Sequence, residues 1–86
     1  MKIIYVPIFI HQFKRLEPTL REEVEEKIEL FKDTENHKQL KVHRLKGKLK
    51  GRYSFSVNYK IRIVFTYVSK EEVAFLAIGD HSVYDR

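Results

Sequence analysis

The chain has 86 residues, of which 43% are hydrophobic, with no cysteine and a formal net charge of +5. A chain this short buries too little surface for a second core, so residues 1–86 are expected to form a single domain. Without cysteine, disulfides and thiolate metal sites are excluded, and packing alone must hold the domain, as suits the reducing cytoplasm. The apolar run at residues 3–10 is interrupted by Pro7 and precedes no cleavage site, so it is expected in the core rather than in a membrane or an export signal.

The charge is unevenly distributed along the chain. Residues 1–35 carry six basic and eight acidic residues, whereas residues 36–70 carry ten basic residues and no acid. Such a block repels itself unless a polyanion or an acidic partner lies across it, and nucleic acid is the leading candidate. A solvated lysine-rich loop is the alternative. Five of these basic residues are expected to contact the nucleic acid, namely Lys46, Lys48, Lys50, Arg52 and Lys60.

The first half of the chain predicts one strand followed by two helices. Residues 2–6 are typical of a strand, and Pro7 suits the first turn of a helix, where its missing N–H is not needed. A second helix is predicted over residues 20–33, with Thr19 and Glu22 as a capping box and its glutamates as a solvated face. The apolar stripes of the two helices are Phe9, Phe13 and Leu16, then Leu20, Val24, Ile28 and Phe31.

The second half changes from a helical period to a period of two. Residues 52–57 and 61–67 alternate between apolar and polar side chains and predict a hairpin with a three-residue loop. With this loop Val57 faces Ile61, so both apolar sets share one side of the sheet. The helices must cover that side, and the opposite face is expected to be open. The residues expected on the open face are Arg52, Ser54, Ser56 and Arg62.

A third strand is predicted at residues 72–79, buried on both faces because its apolar run is nearly continuous. The same register sets Arg62 opposite Ile78 to within one residue, so His81 emerges beside Arg62. An arginine fork binds phosphate, a histidine transfers protons near neutral pH, and an aromatic such as Tyr84 stacks on a base. Together they suit metal-free RNA cleavage, although His81 alone also fits a turn residue and Tyr84 alone a packing aromatic.

The most specific motifs are L-K-G-x-L-x-G at residues 45–51, KIRIVF at residues 60–65 and I-G-x-H-x-x-Y at residues 78–84. In these motifs the sequence resembles the RelE/ParE superfamily of type II toxins, in particular its RelE, YoeB and YafQ branch of ribonucleases. The resemblance implies an α+β fold in which a two-helix hairpin packs on one face of a twisted antiparallel sheet of about four strands. It places the active cleft on the other face.

The resemblance also implies site residues. Arg62 matches the strand arginine that contacts the scissile phosphate, His81 the histidine after the last strand, and Tyr84 the terminal aromatic. His43 matches a position where YoeB-like toxins have a glutamate base and YafQ-like toxins a histidine. Ser54 and Ser56 depart from the pattern, because RelE has lysines there.

These matches imply a ribosome-dependent endoribonuclease that cleaves mRNA without metal or cofactor in the cytoplasm. Its expected partner is a cognate acidic antitoxin, with which it forms a hetero-oligomer, whereas the toxin alone is expected to be a monomer. Two alternatives stay open: a ParE-like toxin that inhibits DNA gyrase, and a catalytically weak member that only binds. The sequence gives no ligand spacing for a metal site among its four histidines.

Overall fold

The computed structural model describes residues 1–85 and, within this range, all side chains except those of Lys48, Tyr84 and Asp85. The helices and strands in chain order are β1 (Lys2–Tyr5), α1 (Pro7–Lys14), α2 (Pro18–Phe31), β2 (His43–Arg44), β3 (Tyr53–Ser56), β4 (Arg62–Ser69) and β5 (Glu72–Gly79). Three 3₁₀ helices occur at Thr34–Asn36, Gly47–Leu49 and His81–Asp85, and the last of them is called the C-terminal turn below. Among the described residues, no helix has the length and apolar character needed to cross a membrane.

The five strands form one sheet in the order β1-β5-β4-β3-β2. The strands from β2 to β5 are antiparallel, as the expected architecture requires, whereas β1 pairs in parallel with β5 and makes the sheet mixed. The α+β fold with two helices on one face is therefore confirmed, with five strands rather than about four. Both helices separate β1 from the next strand, so no tight turn fixes the direction of β1 and the sequence pattern alone could not supply it.

Helix α2 begins two residues earlier than predicted. Its first residue is Pro18, its N-cap is Glu17, and no side chain caps its free N–H groups. The predicted capping box of Thr19 and Glu22 is therefore wrong. A proline at the first helical position has its φ preset for the helix and lacks an N–H that would need a partner, so the helix starts there instead.

The core lies between the two helices and one face of the sheet, as the apolar stripes predict. Phe31 of α2 is fully buried, and its ring stacks on Phe55 with the centroids 4.6 Å apart. Aromatic pairs of this kind stabilise a core beyond the area that they bury. The buried core residues are Phe9, Val24, Ile28, Phe31, Leu40, Phe55, Val57, Ile61, Ile63, Phe65, Val73, Phe75 and Ile78.

The hairpin of β3 and β4 has the predicted register. Phe55 pairs with Ile63, and the N–H of Val57 donates to the carbonyl of Ile61 at 2.9 Å. Asn58 Oδ1 accepts from the N–H groups of Lys60 and Ile61, both at 2.8 Å. Asn58 thereby closes the turn with its side chain, which is the usual role of asparagine in tight turns.

The face of the sheet opposite the helices, called the second face below, carries Ser54, Ser56, Arg62, Val64 and Thr66. Its centre is not open as predicted, because Ser54 has 0% and Val64 has 2% of its surface exposed. Two segments pack against it. The hydroxyl of Thr66 donates to the carbonyl of Gly51 at 2.9 Å, and the C-terminal turn contacts β4 and β5. The period of two assigns side chains to this face but cannot reveal loops that cover it.

Candidate functional site

Arg62 is the first residue of β4 and pairs with Ser56 on one side and with Gly79 on the other. The predicted register, opposite Ile78 to within one residue, is confirmed. Its Nη1 donates to the carbonyls of Asn58 and Ile61, which holds the guanidinium over the turn. Both bonds use the same nitrogen, so Nη2 and Nε remain to donate to a phosphate in a bidentate fork.

His43 lies on the second face, which also carries Arg62. It pairs with Ser54, which pairs with Val64, and directly opposed residues share one face of a sheet. Two strand spacings and two residues of strand rise separate its Cα from that of Arg62, about 12 Å in total. The two residues therefore share one face of the sheet.

The ring of His43 has a defined tautomer. Its Nδ1 lies 2.8 Å from the carbonyl oxygen of Lys41, and a carbonyl only accepts, so Nδ1 carries the proton. The neutral ring then has its lone pair on Nε2, which can accept a proton. Lys41 is the one described non-glycine residue with a positive φ, 60°, a rare conformation for such a residue.

His81 is the first residue of the C-terminal turn and its side chain is exposed. It follows Gly79, the strand partner of Arg62, by two residues. Chain geometry therefore limits the distance between the Cα atoms of His81 and Arg62 to about 13 Å. The prediction that the strand delivers this histidine near Arg62 agrees with the register.

Asp80 holds the start of the C-terminal turn. Its carboxylate accepts from the N–H of Ser82 at 2.9 Å, and its carbonyl accepts from the N–H of Val83 at 3.1 Å. Hydrogen bonds from Ser82 hold the pKa of Asp80 below its usual value, and the charges of Lys60 and His81 lower it further. Lys60 of the β3–β4 turn therefore lies close to the C-terminal turn.

Gly79 permits the C-terminal turn to pack against the strand. A Cβ at this position would lie 2.8 Å from Cγ1 of Val83, closer than real Cβ contacts. Val83 itself is buried, with 6% of its surface exposed. The contact between this side chain and a bare backbone sets the position of the turn that carries His81.

The basic residues predicted to contact RNA lie on loops beside the sheet. Lys46, Lys50, Arg52 and Lys60 are exposed, and the side chain of Lys48 lies outside the described residues. Within the described part of the chain the ion pairs join Lys2 to Glu72 and Lys32 to Glu29, so neither neutralises the basic block at residues 36–70. The block is therefore available to an external anion.

The remaining positions are the two serines of β3, Tyr84 and the histidine at position 37. Ser54 is fully buried and Ser56 is half-buried, which fits their interpretation as small sheet residues. Tyr84 belongs to the C-terminal turn, but its side chain lies outside the described residues, so its role stays a prediction. His37 has a structural role, because its Nε2 lies 2.8 Å from the carbonyl of Phe31 and its ring stacks on that residue.

No group of three or more metal-ligating side chains occurs in the portion of the chain that the structure describes. The structure does contain a feature that the sequence did not indicate, a cleft of about 280 Å³ beside Arg62. Lys27 and Lys41 line it together with Arg62. Lys27 was missed because the surrounding glutamates made its helix face look like an ordinary solvated surface.

Comparisons with known proteins agree on the family and the fold. The model of the HigB-like toxins, described as the RelE-like toxin of type II toxin–antitoxin system HigB, matches residues 9–81. A search of curated proteins gave no match.

Solved structures share the fold at low sequence identity. The YoeB–YefM complex from Staphylococcus aureus has a TM-score of 0.73 and 20% identity over 94% of this chain and 97% of that one. YafQ from E. coli strain BL21(DE3) has a TM-score of 0.72 and 16% identity over 96% of both chains. A YoeB/ParE toxin from Agrobacterium tumefaciens has a TM-score of 0.67 and 19% identity over 94% of this chain and 99% of that one.

The family match extends from α1 to the first residue of the C-terminal turn and therefore includes His43, Arg62 and His81. The expected membership of the RelE/ParE superfamily is confirmed. The chain belongs to the HigB-like toxins, the RelE-like toxins of type II toxin–antitoxin systems.

Proposed function

We propose that this toxin is a ribosome-dependent endoribonuclease that cleaves mRNA in the cytoplasm and is inhibited by a cognate acidic antitoxin. The observation that carries the proposal is the placement of His43 and Arg62 on the second face, with the proton of His43 fixed on Nδ1. His81 begins the turn that packs against the same face. The site thus offers a proton acceptor, a phosphate ligand and a second titratable group.

The chemistry divides among these three side chains. Nε2 of His43 accepts the proton of a ribose 2′-OH, and the oxygen attacks the adjacent phosphorus. Arg62 donates to the non-bridging oxygens as negative charge develops on the phosphorane, which is where fixed donors contribute most to the rate. His81 gives a proton to the departing 5′ oxygen, which leaves a 2′,3′-cyclic phosphate and a 5′-hydroxyl. A stacking role for Tyr84 and a phosphate contact by Lys48 complete the proposal from the sequence.

The basic block supports binding of both RNA and an antitoxin. Lys46, Lys50 and Arg52 are exposed near the second face and can contact successive phosphates of a message. The same unneutralised charge suits an acidic segment of an antitoxin, and the similar YoeB is seen in a complex with YefM. We infer a monomeric free toxin and a hetero-oligomer with the antitoxin.

The test is single-turnover cleavage of a ribosome-bound message by wild type and by His43→Gln and His81→Gln. Each variant should cleave about 10²- to 10⁴-fold more slowly, the usual contribution of a positioned proton-transfer group. The matched control is His11→Gln, which changes an exposed histidine of α1 and should cleave as wild type does. Antitoxin affinity serves as the folding control.

Two outcomes would replace the proposal. If wild type cuts no message but inhibits supercoiling by DNA gyrase, the chain acts as a ParE-like toxin on the same fold. If it does neither and only binds its antitoxin, it is a binding-only member, for which the serines at positions 54 and 56 are the structural reason.

A further inference from the structure

The cleft beside Arg62 lies between α2, the segment before β2 and the β3–β4 turn. Three residues with cationic side chains line it, one from each of these elements, namely Lys27, Lys41 and Arg62. No aspartate or glutamate is among the described residues that line it, although α2 carries five glutamates. Convergence of like charges from distant parts of the sequence raises the positive potential inside a concave surface and attracts anions.

The floor of the cleft is held in place by hydrogen bonds. Asn58 Nδ2 donates to the carboxylate of Glu23 at 2.9 Å, which ties the β3–β4 turn to α2. The carbonyl of Asn58 accepts from Nη1 of Arg62. The cleft is therefore formed before any ligand binds, which lowers the ordering cost of binding.

An aromatic ring lies at the edge of the cleft. Tyr59 is 91% exposed, far more than any other described large hydrophobic side chain. It follows Asn58 in the β3–β4 turn, so its backbone is fixed by the same hydrogen bonds. An exposed ring beside cationic groups is the arrangement with which proteins stack a base while holding the backbone phosphate.

Lys41 adds a backbone feature. Its φ of 60° is unfavourable for a residue with a side chain, and such conformations concentrate at functional sites. Lys41 lines the cleft, and its carbonyl accepts a hydrogen bond from Nδ1 of His43. The cleft and the proposed proton acceptor are thus adjacent along the chain.

We propose that this cleft binds one nucleotide of the RNA next to the cleaved phosphodiester, with its phosphate on Lys27 and Lys41 and its base stacked on Tyr59. The volume of about 280 Å³ lies just below the range of about 300–1,000 Å³ that is usual for ligand sites, so the cleft suits no more than a single nucleotide. The choice of RNA as the ligand rests on the proposed nuclease function. The cleft extends the substrate site from the second face around the end of the sheet.

The experiment measures binding of a 2′-O-methyl hexaribonucleotide to the full chain, because this probe lacks the attacking hydroxyl and cannot be cleaved. Tyr59→Ala should weaken binding by roughly 5- to 150-fold, the range for loss of one stacked base, whereas Tyr59→Phe keeps the ring and should bind as wild type does. Lys27→Ala and Lys41→Ala should each reduce the slope of log affinity against log salt, and the two changes together should reduce it by about 0.7, the value for the one phosphate of a single strand that both lysines contact.

The matched control is Lys70→Ala, which removes the same charge from the turn at the other end of β4, about 25 Å away. It should leave the salt slope unchanged. Equal losses from Lys70→Ala and the cleft lysines would mean diffuse attraction to a basic protein and would overturn the proposal. The proposal would also be overturned if all three cleft variants bound the probe as wild type does. It would be overturned too if the three changes weakened antitoxin binding but not RNA binding.

These results separate the cleft from the nuclease activity, since the probe reports binding without cleavage. If wild type cuts no message but binding still depends on Tyr59, the nuclease proposal fails and the cleft remains a nucleotide site. If wild type cuts its message and the cleft variants bind and cut equally well, the cleft proposal fails alone.

Discussion

Replacing Gly79 with alanine should slow cleavage with little effect on the fold. The new Cβ would lie 2.8 Å from Cγ1 of Val83, whereas carbon atoms pack at about 3.5–4.0 Å. Val83 is buried against the strand and cannot turn away freely, so the C-terminal turn must shift by about 1 Å. His81 begins this turn and must shift with it.

The structure allows the two effects of Gly79→Ala to be compared. Overpacking should lower the free energy of unfolding by about 1–3 kcal/mol. Alanine also restricts the unfolded chain, which should raise the same free energy by about 0.4–1 kcal/mol, because the φ of Gly79 is not positive and alanine can adopt it. The net loss of about 0–2.6 kcal/mol is small beside a typical unfolding free energy of about 5–15 kcal/mol. A catalytic group displaced by about 1 Å, in contrast, can lower a rate about 100-fold.

The assay is single-turnover cleavage of a ribosome-bound message, with thermal unfolding measured in parallel. Val83→Ala removes the atom that collides, so Gly79→Ala should cost far less in a Val83→Ala background than in wild type. Cleavage by Gly79→Ala at the wild-type rate would refute the reasoning. So would an equal loss in both backgrounds, because the steric contact would then not be the cause.

Three further results are expected. Arg62→Lys should lose most of the cleavage activity although it keeps the charge, because a single ammonium cannot replace the bidentate fork, and single-turnover rates test this. Glu23→Ala should lower the unfolding free energy by about 1 kcal/mol through the lost bond to Asn58, whereas Glu26→Ala, an exposed neighbour on α2, should not, as denaturant unfolding will show. Antitoxin affinity should fall with rising salt, and a flat response would contradict the role of the basic block.

The fold was predictable where neighbours in sequence are also neighbours in space. The alternation in β3 and β4 and the length of their loop determined that Phe55 pairs with Ile63, and the apolar stripes identified the buried side of α2. The parallel pairing of β1 with β5 joins segments about 70 residues apart, and no local pattern encodes its direction. A prediction from neighbouring residues also failed at Pro18, because its preference for the first helical position overrode the capping box that begins at the next residue.

The candidate site was likewise predictable only where its residues are positioned by neighbouring strands. Arg62 and His81 were located by strand register alone, because an antiparallel hairpin fixes which residues meet. The positive φ of Lys41 and the approach of Lys27 to the β3–β4 turn depend on packing between α2 and the sheet, which leaves no mark on the nearby sequence. The sequence indicates Gly79 as the end of a strand, but it does not indicate that Val83 packs where a Cβ of this residue would lie.

One backbone conformation connects the two parts of the proposed substrate site. Lys41, which has a positive φ, lines the cleft, and its carbonyl accepts a hydrogen bond from Nδ1 of His43. If His43 took the other tautomer it would lose this bond and present a donor, not an acceptor, at Nε2, so it could not remove the proton of a 2′-OH. In the proposed mechanism this hydrogen bond suits His43 to the role of base, which leaves the role of acid to His81. In the proposed site Lys41 would bind a phosphate of the substrate and also orient the ring of His43. The position of the substrate and the transfer of the proton would then depend on the same segment of the chain.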